Sequence, residues 1–242
     1  MKRWLRFTAA VLAAAVLFAL TGCGSSTNSA SFTWFVDSIP ANLDPQVASG
    51  ASDVIACENL YGTLVRKSPD GELVPGLCEK WTVSSDGLTY TFTLKDGLTY
   101  AAAKGAATEY DITAEDFVFA FRRIFRADTA SPYAVEFSAI QNSAAVQAGL
   151  ADESSLGVSA NGALTLVFRL SERDDNFLAK LALPGAAPCD EAFFESTRGT
   201  YGLTAKTTLA SGSFYLYNWT ANGLFLRRTV ESPLVGSLRL GQ

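Results

Sequence analysis

Residues able to do chemistry are few in this 242-residue chain, and the first fact about them is an absence: it contains no histidine. Without imidazole, neither a Ser-His-Asp nor a Cys-His nucleophile pair can be built. His-x-x-x-His zinc sites are excluded too, and no side chain titrates near neutrality at its ordinary pKa. Carboxylates could still cut glycosides as a facing pair, but the Asp and Glu residues are scattered over turns and helix starts. A carboxylate-dependent hydrolase is therefore the one enzyme class left as an alternative. There is no phosphate loop and no metal-ligand cluster, so no cofactor, no metal and no catalytic residue is expected. Cys57, Cys78 and Cys189 follow no Cys-x-x-Cys spacing and their odd number cannot pair completely. They read as small apolar fillers, with one disulfide left open. Cys23 differs, because an apolar run stops at it in Leu20-Thr21-Gly22-Cys23.

That run, residues 7–20, follows Lys2, Arg3 and Arg6. It is shorter than the ~20 apolar residues that cross ~30 Å of hydrocarbon, and it matches a signal peptide with a basic start and a short apolar stretch. Leu-Thr-Gly-Cys resembles the bacterial lipobox, which implies cleavage before Cys23 and attachment of diacylglycerol to its thiol. Residues 1–22 are then a lipoprotein signal peptide, and residues 23–30, Cys-Gly-Ser-Ser-Thr-Asn-Ser-Ala, form a flexible tether. The mature protein is expected at the cell membrane, lipid-anchored on the extracytoplasmic face.

A hydrophobic content of 48% with 18% charged residues is globular. Losing Lys2, Arg3 and Arg6 with the leader takes the formal charge from −5 to −8. An acidic surface makes nucleic acid an unsuitable partner.

The elements that must position any site are mixed α and β. Residues 31–36, Ser-Phe-Thr-Trp-Phe-Val, read as a strand, and residues 52–60 as a short helix. Ser84-Ser85-Asp86-Gly87 is a turn, and residues 88–95 alternate apolar with hydroxyl residues as a half-buried strand does. Thr113-Ala114-Glu115-Asp116 has the form of a capping box. It starts a helix over 115–126 with Phe117, Phe121, Ile124 and Phe125 on a core face and Arg122, Arg123 and Arg126 complementing the dipole at its end. A second helix is expected over 135–148. Asn161-Gly162 and Asn222-Gly223 are expected to turn hairpins.

Five segments in series then resemble a known family. They are Leu43-Asp44-Pro45, residues 58–65 (Glu-Asn-Leu-Tyr-Gly-Thr-Leu-Val), residues 73–81 (Leu-Val-Pro-Gly-Leu-Cys-Glu-Lys-Trp), residues 85–94, and Thr113-Ala114-Glu115-Asp116-Phe117. In this order and spacing they look like the extracytoplasmic solute-binding proteins of family 5, the peptide-binding lipoproteins of ABC importers. Thr129-Ala130-Ser131-Pro132-Tyr133-Ala134 and Ala210-Ser211-Gly212-Ser213-Phe214-Tyr215-Leu216 extend the likeness, which covers roughly residues 31–230.

The resemblance implies a non-enzymatic binding protein that captures extended peptides through their backbones for delivery to the transmembrane subunits of a permease. It implies a type II periplasmic-binding-protein lobe, α/β of mixed α+β kind. The larger sheet domain is expected over 31–54 and 166–230, with a small subdomain inserted over 55–165. Residues 231–242 lose the likeness and are expected as a truncated tail, with the second lobe absent. As ligand contacts it implies Ser49, Gly50, Ala51 and Tyr133, and more distantly Ser211 and Gly212. Related proteins carry glutamate where Ser49 stands, which sets this loop apart in charge. A monomer is expected. A chaperone-like surface protein using exposed strand edges is the other alternative.

Overall fold

Alternation along Thr89–Leu94 settles one face of the fold at once. Tyr90, Phe92 and Leu94 are buried while Thr89, Thr91 and Thr93 are half exposed, the period of a strand with one face in a core. The structure is a computed structural model and describes residues 31–105, 107–229 and 237–241. The chain runs β1 (Ser31–Phe35), α1 (Ala51–Leu60), β2 (Val65–Lys67), β3 (Leu73–Pro75), β4 (Cys78–Val83), β5 (Thr89–Leu94), β6 (Thr99–Ala102) and β7 (Ala107–Asp111). It continues with α2 (Ala114–Phe125), α3 (Ser143–Gln147), β8 (Val158–Ala160), β9 (Thr165–Arg169), α4 (Phe177–Lys180) and α5 (Glu191–Ser196). The last elements are β10 (Leu209–Ala210), β11 (Phe214–Thr220), β12 (Gly223–Arg228) and β13 (Ser237–Gly241). Residues Ser31–Gln242 make one compact unit. The mixed α/β class expected from the sequence is found.

The first core lies between α2 and the antiparallel sheet β4-β5-β9-β8. α2 begins where expected because the Thr113 N–H donates to the Asp116 carboxylate (2.7 Å) and the box is reciprocal. Phe117, Phe121 and Phe125 are fully buried, and Phe121 meets both Phe137 and Phe168 with ring centroids 4.9 Å away. The helix is not one-faced, however. Phe119, Ala120 and Arg123 are buried on its other side against Cys189 and Tyr201. α2 is thus packed from two directions, and Arg123 lies inside rather than at a solvated helix end. Strand β9 reaches Arg169, and this core takes in Leu181, Ala186 and Leu209, beyond the inserted segment read from the sequence.

The second core packs α1 on the sheet β1-β13-β12-β11, using Ala56, Cys57, Leu60, Leu224, Leu226, Leu238 and Leu240. β13 pairs parallel with β1 and antiparallel with β12. Residues 237–241, read from the sequence as tail, therefore stand inside this sheet. Cys57, Cys78 and Cys189 are buried and unpaired with one another, as fillers should be.

Two expectations change. Within 135–148 only Ser143–Gln147 is α-helical. Asn142 adopts φ 63°, Ile140 bridges to Leu170, and the Gln141 N–H donates to the Arg169 carbonyl (2.9 Å), so the segment before the helix is held as a sheet margin. In the last hairpin the turn is Ala221-Asn222, and Gly223 opens β12 opposite Thr220. A Cβ on Gly223 would lie 2.3 Å from the Leu240 carbonyl oxygen, so glycine is required there by the neighbouring strand and by its φ of 142°. Among the described residues, no helix is long and apolar enough to cross a membrane.

Candidate ligand-binding edge and the polar hub beneath it

The segment Leu43-Asp44-Pro45-Gln46 ties the cores together with buried polar groups. Its aspartate accepts the Gln46 N–H (3.1 Å) on Oδ1, closing a tight turn, and the Ala48 N–H donates to the Asp44 carbonyl (2.9 Å). The Arg123 guanidinium donates to both Asp44 oxygens and to Gln46 Oε1 (2.7 Å). Gln46 Nε2 in turn donates to the carbonyls of Gly185 (3.2 Å) and Ala187 (3.0 Å). Arg123 is 3% exposed, with its guanidinium carbon 4.0 Å over the Phe194 ring. An ion pair this far from water is stable only when its remaining donors and acceptors are met, and here glutamine and backbone groups meet most of them. Burial pushes the adjacent Cys189 thiol up to about 12, so it stays protonated and inert.

This hub fixes the chain that leads into α1. Ser131 Oγ donates to the Gln46 carbonyl and Tyr133 Oη to the Ala48 carbonyl (3.3 Å). The Tyr133 ring, expected at the ligand, is only 9% exposed and lies on Gly185, where an added Cβ would come 2.4 Å from it. Burial raises its phenol to about 12, so it remains a hydrogen-bond donor across the physiological range. Ser49, Gly50 and Ala51 follow directly and are exposed. Gly50 is the N-cap of α1 and no side chain caps it, so the first turn carries the positive end of the helix dipole without a capping group. Asp53 turns back to accept the N–H groups of Ala41 (2.7 Å) and Asn42 (3.3 Å), bracing this edge.

The expected residues thus fall into two groups. Ser49, Gly50, Ala51 and Tyr133 are brought together at the start of α1. Ser211 and Gly212 lie at its far end, ~15 Å away for ten residues. Ser211 is buried and its Oγ accepts the Gly62 N–H (3.1 Å), while the Gly212 N–H donates to the Leu60 carbonyl (2.8 Å). A Cβ on Gly212 would lie 2.9 Å from that carbonyl oxygen, so this turn closes the end of the helix. Cys23 lies outside the described residues. Sequence reasoning missed Gln46, Arg123 and Ser131 as supports. A signal existed: Asp116, Phe119, Ala120 and Arg123 recur at helical spacing as a second stripe on α2.

Chemically, the edge offers backbone donors on a braced base. No group of three or more His, Cys, Asp or Glu able to hold a metal occurs among the described residues.

Comparison with known proteins bears on the family and the fold. Residues 72–228 match the family described as bacterial extracellular solute-binding proteins, family 5. The chain is 28% identical over 223 residues to the oligopeptide-binding protein AliA of Streptococcus pneumoniae, covering 91% of this chain and 33% of that protein. Among solved structures, the substrate-binding domain of an oligopeptide ABC transporter from Bacillus anthracis superposes with a TM-score of 0.81 at 26% identity, over 89% of this chain and 42% of that one. The Escherichia coli murein tripeptide binding protein MppA gives 0.77 at 26% identity, over 87% and 41%. The chain therefore spans about a third of the length of the curated relatives it matches. On the family match and the shared lobe, the chain belongs to the bacterial extracellular solute-binding proteins of family 5.

Proposed function

We propose that this chain is a peptide-binding lobe of an ABC importer, holding an extended peptide by its backbone at the start of α1 and acting on it as carrier, not as enzyme. The observation that carries this reading is the exposed Ser49–Gly50–Ala51 edge with uncapped helix amides, mounted on the Asp44–Gln46–Arg123 hub and on Tyr133. Amide N–H groups held on a rigid base can donate to a peptide's carbonyls as an added strand would, giving affinity without demanding particular side chains. Ser211 and Gly212 contribute by closing the far end of α1. The peptide-binding names of the relatives support the ligand class, and their place in ABC transport supports delivery to permease transmembrane subunits.

The same reading includes a lipid anchor at Cys23, an extracytoplasmic position on the cell membrane and a monomer. A peptide held by one lobe stays wet, so each backbone hydrogen bond contributes ~1 kcal/mol at best. A handful of them must offset several kcal/mol of lost motion. Affinity should then be no better than roughly millimolar, about −4 kcal/mol. Calorimetry on residues 24–242 with a pool of short peptides tests this: weak heats that become micromolar once a second lobe from a full-length relative is fused support it. A micromolar constant for the lobe alone, or no gain on fusion, would contradict it.

A further inference from the structure

The strap from Leu43 to Gly50 carries the ligand edge at its end. Its eight residues could stretch over ~26 Å, so length alone does not set where Ser49, Gly50 and Ala51 stand. Arg123 holds Asp44 and Gln46 in its middle, and Tyr133 holds Ala48 further on. Its foot is gripped from two sides by residues outside the hub. The Leu43 N–H donates to the Gly202 carbonyl (2.8 Å), and the Leu43 carbonyl accepts the Tyr61 hydroxyl (2.6 Å). Leu43 is fully buried, as are Tyr61 and Gly202 nearly so. Tyr61 ends α1, its own N–H donating to the Cys57 carbonyl (2.9 Å), so its ring starts from a fixed point. Burial pushes its phenol well up, which keeps the hydroxyl a donor.

A Cβ on Gly202 would lie 2.2 Å from the Asp44 nitrogen, 2.6 Å from the Leu43 carbonyl carbon and 2.8 Å from the Asp44 Cα. All three are main-chain atoms, so no change of rotamer relieves the contact, and a φ of 72° favours glycine independently. The backbone of the strap therefore rests on the bare α-carbon of Gly202. The preceding residue, Tyr201, sets its ring centroid 5.4 Å from the Arg123 guanidinium carbon. Adjacent residues thus meet both partners of the Asp44–Arg123 pair.

We propose that Gly202 and Tyr61 are the positioning residues of the ligand edge. They fix the place of Leu43 and, through the Asp44–Gln46 turn and Ala48, that of Ser49–Ala51; being buried, they act through the strap and do not touch the peptide. The inference rests on the peptide-binding reading. An edge already held in its bound shape spares a peptide the cost of ordering it, so loosening the foot of the strap returns that cost as lost affinity.

The test is amide spectroscopy of residues 24–242, which include the whole compact unit from Ser31, alone and titrated with trialanine. Tyr61→Phe keeps the ring and deletes its bond to Leu43. Ile124→Val, at a position 1% exposed in the first core, is a control of comparable cost to stability. Tyr61→Phe should move the Ser49, Gly50 and Ala51 amides of the peptide-free protein and weaken binding about fivefold, the equivalent of one net hydrogen bond. Ile124→Val should lower the melting temperature similarly and leave those amides and the affinity unchanged. Gly202→Ala should move the same amides further and weaken binding about tenfold, since overpacking against main chain is the larger disturbance; should it not fold, Tyr61→Phe decides. A Tyr61→Phe protein that binds and resonates as Ile124→Val does would overturn the proposal and leave peptide binding standing. No saturable shifts in the wild type would overturn the proposal together with the reading beneath it.

Discussion

Replacing Arg123 by methionine separates the hub from an ordinary helix-end arginine. As a cation complementing the dipole of α2, Arg123 would contribute 0.3–1 kcal/mol. In the structure it is 3% exposed, donates to both Asp44 oxygens and to Gln46, and lies over Phe194. Methionine can occupy the channel and touch the same ring, so the lost quantity is chiefly the charge partner of Asp44. A carboxylate left buried without its cation costs about 3–5 kcal/mol, a large share of the roughly 5–15 kcal/mol that holds a domain folded. With about 2–4 °C per kcal/mol for a chain of this size, melting should fall by roughly 6–20 °C in scanning calorimetry. Arg126→Met is the control: its contacts with Glu153 (3.2 Å) and Asp128 (3.8 Å) are solvent-exposed pairs and should be worth ~0–1 kcal/mol. Adding Asp44→Asn to Arg123→Met should recover part of the loss, since it removes the stranded charge. If Arg123→Met behaves like Arg126→Met, the hub is not what braces the loop, and the argument for a rigid binding edge falls with it.

Three further outcomes are expected. Asp116 is pushed up to about 7, chiefly by burial, against an ordinary value near 4; its folded pKa is raised, so its contribution to stability is complete below pH ~4 and lost as pH rises through 7. Wild type should therefore lose stability relative to Asp116→Asn over that window in urea titrations, by up to ~4 kcal/mol at 1.36 kcal/mol per pH unit; parallel pH profiles would refute the assignment. Phe121→Ala removes a fully buried ring wedged between Phe137 and Phe168 and should cost ~3–5 kcal/mol, read as a fall in the urea midpoint; a negligible shift would mean the first core is not centred on α2. Cys23→Ser should leave the precursor uncut or free it from the membrane fraction, and unchanged partitioning into detergent would exclude the lipid anchor.

What the sequence disclosed follows from where each signal resides. β5, the turn before it and the start of α2 are written in local chemistry: period-two hydroxyls, Asp86-Gly87 with Gly87 at φ 73°, and a capping box whose two hydrogen bonds join residues three apart. The loop at Ser49–Ala51 was legible only through family likeness, and its support was not legible, because Asp44 and Arg123 meet across 79 positions of sequence. Residues 135–148 misled for the same reason. Their composition suits a helix, yet Gln141 and Ile140 are claimed by Arg169 and Leu170 of a strand formed later in the chain. Tyr133 was legible as a ligand contact only through family likeness, and the absence of a Cβ at Gly185 that lets its ring lie buried leaves no mark near it in the sequence.

The claim that peptides are held at the start of α1 is tested most directly by following backbone amide resonances of residues 24–242 while a short peptide is titrated into the millimolar range. The account predicts saturable shifts confined to Ser49, Gly50, Ala51 and the first turn of α1, with smaller ones at Ala48, whose carbonyl accepts from Tyr133, and none around Ser211. Shifts centred elsewhere, or none at millimolar peptide, would contradict it.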